Sequence, residues 1–321
     1  MTDAVGGLAF GTSALAGLYR PCDADAANSV LWAAWAHGIR SFDTAPHYGN
    51  GMSERRLGDF LREKEGWVLS TKVGRLLTPA AETADSINGF HNPLPFDQHF
   101  DFSYDGIMRS VEASFHRLGL NRIDTLYVHD IGDPVAGTDT AVHKKQLLEG
   151  GQVALSELKS AGVVKTVGLG VNHTAICCEL VPDMNLDQIL LAGRYTLLDQ
   201  SAREELFPIL EKRGVRLVVG GVFNSGILAT GPTKGAHYDY APASDLVLKK
   251  VSEIEAICKS HNVPLAAAAL QYPARNTLVA STLIGTARTS SLMRNIEQFK
   301  TPLPEALWND LRRSGFIGER E

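Results

Sequence analysis

The stretch SFDTAPHYGNGMSERRLGDFL, residues 41–61, joins a short apolar run to an amphipathic helical pattern through a glycine-rich turn. Its first part reads as the end of a β-strand over 40–45. Its second part carries Leu57, Phe60 and Leu61 at helical spacing. A connecting turn needs glycine and asparagine; it does not need an aspartate at the strand end followed five residues later by a tyrosine. Asp43 and Tyr48 therefore mark this strand–loop–helix unit as a place where a proton can be moved or steered.

The same unit recurs along the chain. Apolar, β-rich runs at 8–12, 40–45, 67–73, 124–130, 165–171, 188–193, 216–222 and 281–287 predict eight strands, and most are followed by helical patterns such as DADAANSVLWAAWAHG and SYDGIMRSVEASFHRLG. Several of these patterns end in glycine, a frequent helix stop. Strands buried on both faces and joined by crossover helices imply a parallel sheet. Eight such units in one domain spanning 1–321 predict a closed (β/α)8 TIM barrel, with an open doubly wound sheet as the alternative. Two longer segments, 74–104 and 223–243, read as irregular, and loops of that length in a compact domain tend to be functional lids or disordered.

Composition narrows the partners. The 321 residues are 44% hydrophobic and 21% charged, enough for a full core. The net charge is −5 and the 31 basic residues form no run, which argues against nucleic acid or an anionic membrane surface. A small molecule is the expected partner. Four cysteines, Cys22, Cys177, Cys178 and Cys258, lack the spacing of a disulfide framework or a zinc site, so no metal is expected and a reducing cytoplasm fits. No apolar run approaches the roughly 18–20 residues that cross a bilayer, and no secretory leader is evident. Composition leaves monomer and homodimer both open.

In a barrel of this kind the active site lies at the C-terminal ends of the strands. Asp43 ends the second strand, Lys72 lies at the end of the third, His129 ends the fourth, and Tyr48 follows in the loop after the second. Singly, each has an ordinary reading: a turn cap, a solvated charge, a satisfied core histidine, a rim tyrosine. Together, at one mouth, they suit proton transfer. Glu54 and Arg55, at the start of the following helix, read as structural.

These residues resemble the aldo-keto reductase family. FDTAPHYGNGMSERRLGDFL is similar to that family's D-T-A-x-x-Y-G-x-x-x-x-E-x-x-L-G, with STKVG and DTLYVHD following in the expected order, and the likeness runs from residue 8 to about 315. The resemblance implies a catalytic tetrad of Asp43, Tyr48, Lys72 and His129 serving hydride transfer with a nicotinamide cofactor. A free phenol titrates near 10 and is a poor base at neutral pH. On this reading Lys72 lowers the Tyr48 value, Asp43 holds the lysine, and His129 orients the substrate oxygen. His47 and Phe223 are the further expected substrate contacts, beside Tyr48 and His129.

No GxGxxG follows the first strand, so a Rossmann reading fails at its main motif. The resemblance instead implies that the dinucleotide lies over strands seven and eight. Gly11, Thr12 and Asp43 would meet it from the first strands, and Asn172 from the fifth. Gly220, Val222, Asn224, Ser225, Gly226 and Leu228 would pass under the pyrophosphate, with Gly285, Thr286, Arg288, Ser291 and Asn295 at the adenosine end. Three departures stand out. Gly220-Gly221-Val222-Phe223 replaces the usual aromatic under the nicotinamide, Ala192 stands where a glutamine often holds the carboxamide, and Ser291 stands where an arginine often clamps the 2′-phosphate. The last tilts the expectation to NAD; Arg288 and Arg294 keep NADP open.

The variable segments GFHNPLPFDQHFDFSYDGIMRSVEASFHRLGLNRID and LLAGRYTLLDQ resemble the branch that oxidises C1 of L-fucose, L-galactose and D-threo-aldoses, with pyridoxal 4-dehydrogenation a near relative. The expected reaction is oxidation of a cyclic hemiacetal to a lactone with Tyr48 as general base. Pyridoxal is the alternative substrate, and a non-catalytic nicotinamide-binding regulatory subunit is the alternative of another class.

Overall fold

Side-chain alternation on the third strand explains both faces of the sheet. In Val68–Val73, Leu69 and Val73 are buried against the helices, while Ser70 and Lys72 point to the barrel axis side shared with Asp43. The computed structural model describes residues 7–133, 139–239 and 241–318. Eight parallel strands close a barrel: β1 Leu8–Gly11, β2 Ser41–Asp43, β3 Val68–Val73, β4 Thr125–His129, β5 Thr166–Val171, β6 Gln188–Ala192, β7 Arg216–Gly220 and β8 Val279–Ile284. Each pairs with its sequence neighbours, and β1 pairs with both β2 and β8.

The expected barrel is thus present, with the largest boundary shift at its last strand. β8 begins at Val279 and ends at Ile284 instead of running over 281–287, because its partner β1 ends its ladder with β8 at Phe10, opposite Ile284. The two long segments are also more ordered than their sequence suggests. Residues 74–104 contain an antiparallel pair, Arg75–Pro79 with Phe96–Phe100, and a smaller one, Ser86–Ile87 with Phe90–His91. Residues 223–243 contain a helical turn Ile227–Thr230 and the pair His237–Tyr238 with Ala241–Pro242. These strands are short and mostly polar, so they give no hydrophobic alternation to read.

The main core lies between sheet and helices, whereas Tyr127, Leu190 and Val218, with Leu283 against them, fill the inside of the barrel. Glycines in β5 make that interior possible. A Cβ on Gly168 would sit 1.9 Å from Gln188 O, and one on Gly170 would crowd Tyr127 Cβ at 3.2 Å and Lys72 Cε at 3.4 Å. β5 gives up side chains so that Tyr127 and the lysine stem can lie across it.

Candidate active site

The strand register brings the acid and the base together. Asp43 pairs in β2 with Ser70 of β3, and Lys72 lies one inward position further on. Lys72 Nζ donates to Asp43 Oδ2 at 2.6 Å and to Thr44 O at 2.9 Å, while Ser70 Oγ donates to Asp43 Oδ1 at 2.7 Å. The lysine and aspartate side chains are 2% and 4% exposed, which makes the pair a buried one that adds little net stability and demands full hydrogen bonding. The ammonium lies 4.7 Å from the Tyr48 ring centroid. His129, at the end of β4, has its ring 5.9 Å from that of Tyr48. All four side chains expected from the sequence therefore meet at one mouth.

Their electrostatics differ from the expectation in one respect. Burial works against the Lys72 charge, but Asp43 and Tyr48 outweigh it and hold the ammonium above its ordinary value. Burial pushes the Tyr48 phenol up, and Lys72 offsets this only in part, so the resting tyrosine is a protonated acid. Lys72 does lower the phenol as expected, but burial, with a smaller contribution from Asp43, outweighs it. His129 is held well below the usual imidazole value by burial first and then by Lys72, Arg75 and His47. It is neutral.

Further polar side chains close around these four. Arg75, one glycine beyond β3, pairs with Asp130, immediately after β4, and donates to Gln98 Oε1 at 3.1 Å. The same Asp130 Oδ2 lies 3.5 Å from His129 Nε2, while His129 Nδ1 is buried without a partner. Gln98 Oε1 also lies 2.9 Å from His47 Nδ1. His47 is lowered to about 4, by burial first and then by Arg75. Phe90, from the small hairpin, stacks on Tyr48 at 6.0 Å and meets His47 edge-on at 5.3 Å. Arg75 and Asp130 escaped the sequence reading, although each sits close to a strand end, in KVGR and in VHD. Gln98 and Phe90 were visible only as members of a loop of mixed composition.

The rest of the 41–61 stretch is scaffold. Gly49, Asn50 and Gly51 are all left-handed, with φ of 61°, 54° and 91°. A Cβ on Gly51 would lie 2.6 Å from Arg117 Cδ. Glycine is required there on both counts. Glu54 is buried, accepting from Thr71 Oγ1 at 2.8 Å and pairing with Arg117 Nε at 2.5 Å. A Cβ on Gly58 would fall 1.8 Å from Leu118 O, so this glycine lets helix Met52–Leu61 lie against helix Tyr104–Leu118.

At the opposite side of the mouth the expected cofactor residues divide. Gly11, Gly220 and Gly285 end β1 and β7 or follow β8, and a Cβ on Gly285 would approach Gly11 O to 3.0 Å. Helix Thr289–Lys300 begins with Arg288 at its N-cap, no side-chain cap and no acid in its first turn, an arrangement that leaves its N–H groups for an anion. Ser291 and Asn295 lie on that helix, and Arg288 donates its backbone N–H to Thr286 Oγ1 at 3.1 Å. These features fit a bound dinucleotide. Other expected contacts have structural work. Leu228 and Val222 are buried in the core, and Asn224 accepts from Thr196 Oγ1 at 2.6 Å and donates to Gly193 O at 3.1 Å. Thr12 Oγ1 bonds Asp43 O at 2.8 Å and Ser53 Oγ at 2.6 Å. Only the backbone of these residues is left to meet a ligand. Ser225 and Gly226 continue the turn, Ser225 exposed and left-handed at φ 59°, and Phe223 is half-buried beside them. Asn172 accepts Arg194 Nε on its carbonyl at 2.9 Å, and Arg194 in turn pairs with Asp239 at 2.9 Å. Arg194, just after β6, thus ties the segment after β7 to the end of β5.

Among the described residues no cluster suited to a metal ion occurs, and no helix is long and apolar enough to cross a membrane. The closed barrel thus carries an Asp–Lys–Tyr–His cluster at its strand ends, an arrangement able to move a proton. The Aldo/keto reductase family matches residues 7–314, and the chain belongs to that family. It is an NAD(P)-dependent oxidoreductase. It is 44% identical to a pyridoxal 4-dehydrogenase of Microbacterium luteolum, over 97% of this chain and 94% of that one. It is 39% identical to a D-threo-aldose 1-dehydrogenase of a Pseudomonas species, over 98% and 95%. Among solved structures, the holo form of an aldo-keto reductase from Bacillus halodurans superposes with a TM-score of 0.73 at 23% identity, covering 96% of this chain and 91% of that one.

Proposed function

We propose that the protein oxidises the hemiacetal C1 of an aldose of the L-fucose, L-galactose or D-threo type to a lactone, with Asp43, Tyr48, Lys72 and His129 carrying the reaction. The observation that carries this reading is the hydrogen-bonded wall of polar groups beside Tyr48, formed by the buried Arg75 and the half-buried His47, Gln98 and Asp130. A substrate with several hydroxyls can engage the donors and acceptors that remain on such a wall, whereas a largely apolar one cannot.

A bound oxidised nicotinamide supplies the acceptor for the hydride that leaves C1. Tyr48 takes the proton of the C1 hydroxyl as the C–O double bond forms. The phenol is protonated at rest, so this role requires the phenolate, which the Lys72 ammonium favours. Oxidation therefore gains with rising pH, and in the reverse direction the phenol is already poised as an acid. His129, neutral, holds the C1 oxygen. Acid–base assistance of this kind contributes about 10²–10⁴-fold.

NAD is the proposed cofactor. Ser291 puts no charge at the start of helix Thr289–Lys300, and the exposed Arg288 and Arg294 lie on either side of it. The four cysteines are free, in keeping with work in a reducing cytoplasm as a monomer or homodimer. Initial rates of NAD and NADP reduction with L-fucose, L-galactose, D-arabinose and pyridoxal test the reading. An aldose with NAD should be fastest. The second reading, pyridoxal oxidised to its lactone, draws on the Phe90 ring stacked over Tyr48 and on the 44% identical relative, and pyridoxal outrunning every aldose would establish it.

A further inference from the structure

Deepening the aldose reading and resting on it, we infer that His47 is a specificity residue whose ring is fixed as a hydrogen-bond acceptor toward a hydroxyl on the carbon next to the reacting one. Two backbone carbonyls fix the direction of a chain of hydrogen bonds. Asn50 Nδ2 lies 3.1 Å from Leu94 O and 2.5 Å from Phe96 O. Carbonyls only accept, so this atom of Asn50 is the donating nitrogen and its Oδ1 is an acceptor. Gln98 Nε2, 2.6 Å from that Oδ1, must then donate. Gln98 Oε1 is the acceptor by elimination. The guanidinium of Arg75 fixes the same atom independently, because it can only donate to Oε1, at 3.1 Å.

The consequence falls on His47. Its Nδ1 is 2.9 Å from an oxygen that only accepts, so Nδ1 carries the proton. Arg75, Lys72 and Asp130 are the charged groups that act on this ring, with burial the largest influence, and the net effect keeps it neutral down to about pH 4. A neutral ring protonated at Nδ1 has a bare Nε2. The rings of His47, Tyr48 and His129 stand 6.2, 5.9 and 5.7 Å apart pairwise. Tyr48 and His129 serve the reacting oxygen, which leaves His47 as the third corner, able only to receive a hydrogen bond. A C2 hydroxyl supplies one; a C2 methylene does not. Buried polar groups left unpaired by an analogue are a strong source of discrimination.

Two measurements test this. In the protein labelled with 15N at histidine, with His47 assigned through His47→Phe, the side-chain spectrum at neutral pH should show Nδ1 protonated and Nε2 bare; the Nε2-protonated form would overturn the inference. In kinetics, wild type should prefer an aldose over its 2-deoxy analogue by roughly ten- to a hundred-fold in kcat/KM beyond the preference left in His47→Phe. A preference unchanged by the substitution would also overturn it. The spectrum needs no turnover: if no aldose or pyridoxal reduces NAD, the proposed activity fails while the tautomer still decides this inference. Gln98→Leu, which removes the fixing acceptor, should abolish the single tautomer with the fold retained by circular dichroism.

Discussion

The two sides of the barrel mouth are built on opposite principles. On the Tyr48 side, charges are buried and matched pair by pair: Asp43 with Lys72 at 4% and 2% exposure, and Arg75 with Asp130. On the side of β7 and β8, glycine backbone and an uncapped helix start dominate, with arginines that lie exposed. In the proposed reaction the first side would hold a proton inventory fixed while a bond breaks, which requires preorganised groups in a dry site. The second would have only to hold phosphates, which backbone N–H groups do with little help from side chains. Substitutions should therefore be costly on one side and mild on the other.

The largest effect is expected from Lys72→Met. It removes the charge that offsets burial at Tyr48 and leaves Asp43 unpaired, so turnover should fall about 10²–10⁴-fold, and a thermal melt should register the buried unpaired carboxylate as about 3–5 kcal/mol of lost stability. Next comes Arg75→Gln, expected to lower kcat roughly ten-fold or more by freeing Asp130 and Gln98. Steady-state kinetics with unchanged NADH affinity would place that loss on the Tyr48 side. On the other side, Ser291→Arg should move the NADP-to-NAD ratio of kcat/KM upward by about ten-fold, the worth of about 1.4 kcal/mol, through a charge-assisted contact. A drop in turnover with both cofactors instead would blur the contrast between the two sides.

Acidity separates them as well. An unfolded imidazole titrates near 6.5, while His47 in the folded protein titrates at about 4. Between those values the unfolded chain binds a proton that the folded one does not, so stability should fall as pH drops through this window. His47→Phe should flatten that fall in a series of melts. The smallest effect on chemistry is expected from Gly58→Ala. It crowds Leu118 O and should lower stability by about 1–3 kcal/mol, with kcat near wild type at low temperature.

The same contrast explains what the sequence disclosed. Eight strands were legible because each is an apolar run with a helix after it, and the tetrad was legible because Asp43, Tyr48, Lys72 and His129 are chemically conspicuous at strand ends. Glu54 and Gly58, equally prominent in the 41–61 stretch, turn out to anchor helix Met52–Leu61. Arg75 and Asp130 went unread, and Gln98 was seen only as one polar residue of a long loop, because their meaning lies in a hydrogen-bond chain across three segments that no local pattern encodes. The upward displacement of the Tyr48 phenol was likewise hidden, since it depends on burial outweighing a neighbouring charge. On the cofactor side, the side chains of Leu228 and Asn224, implied as ligand contacts by the resemblance, are taken up by core packing and turn bracing, which no local pattern discloses.

The central claim is that Tyr48 transfers the proton in an NAD-linked oxidation at C1 of an aldose. Its most direct test is the initial rate of NAD reduction with L-fucose or L-galactose, as a function of pH, for wild type and Tyr48→Phe at matched NADH affinity. The account expects a wild-type rate that climbs with pH and a variant that binds cofactor yet loses turnover by about 10²-fold or more. A variant that retains the wild-type rate and pH dependence would contradict it.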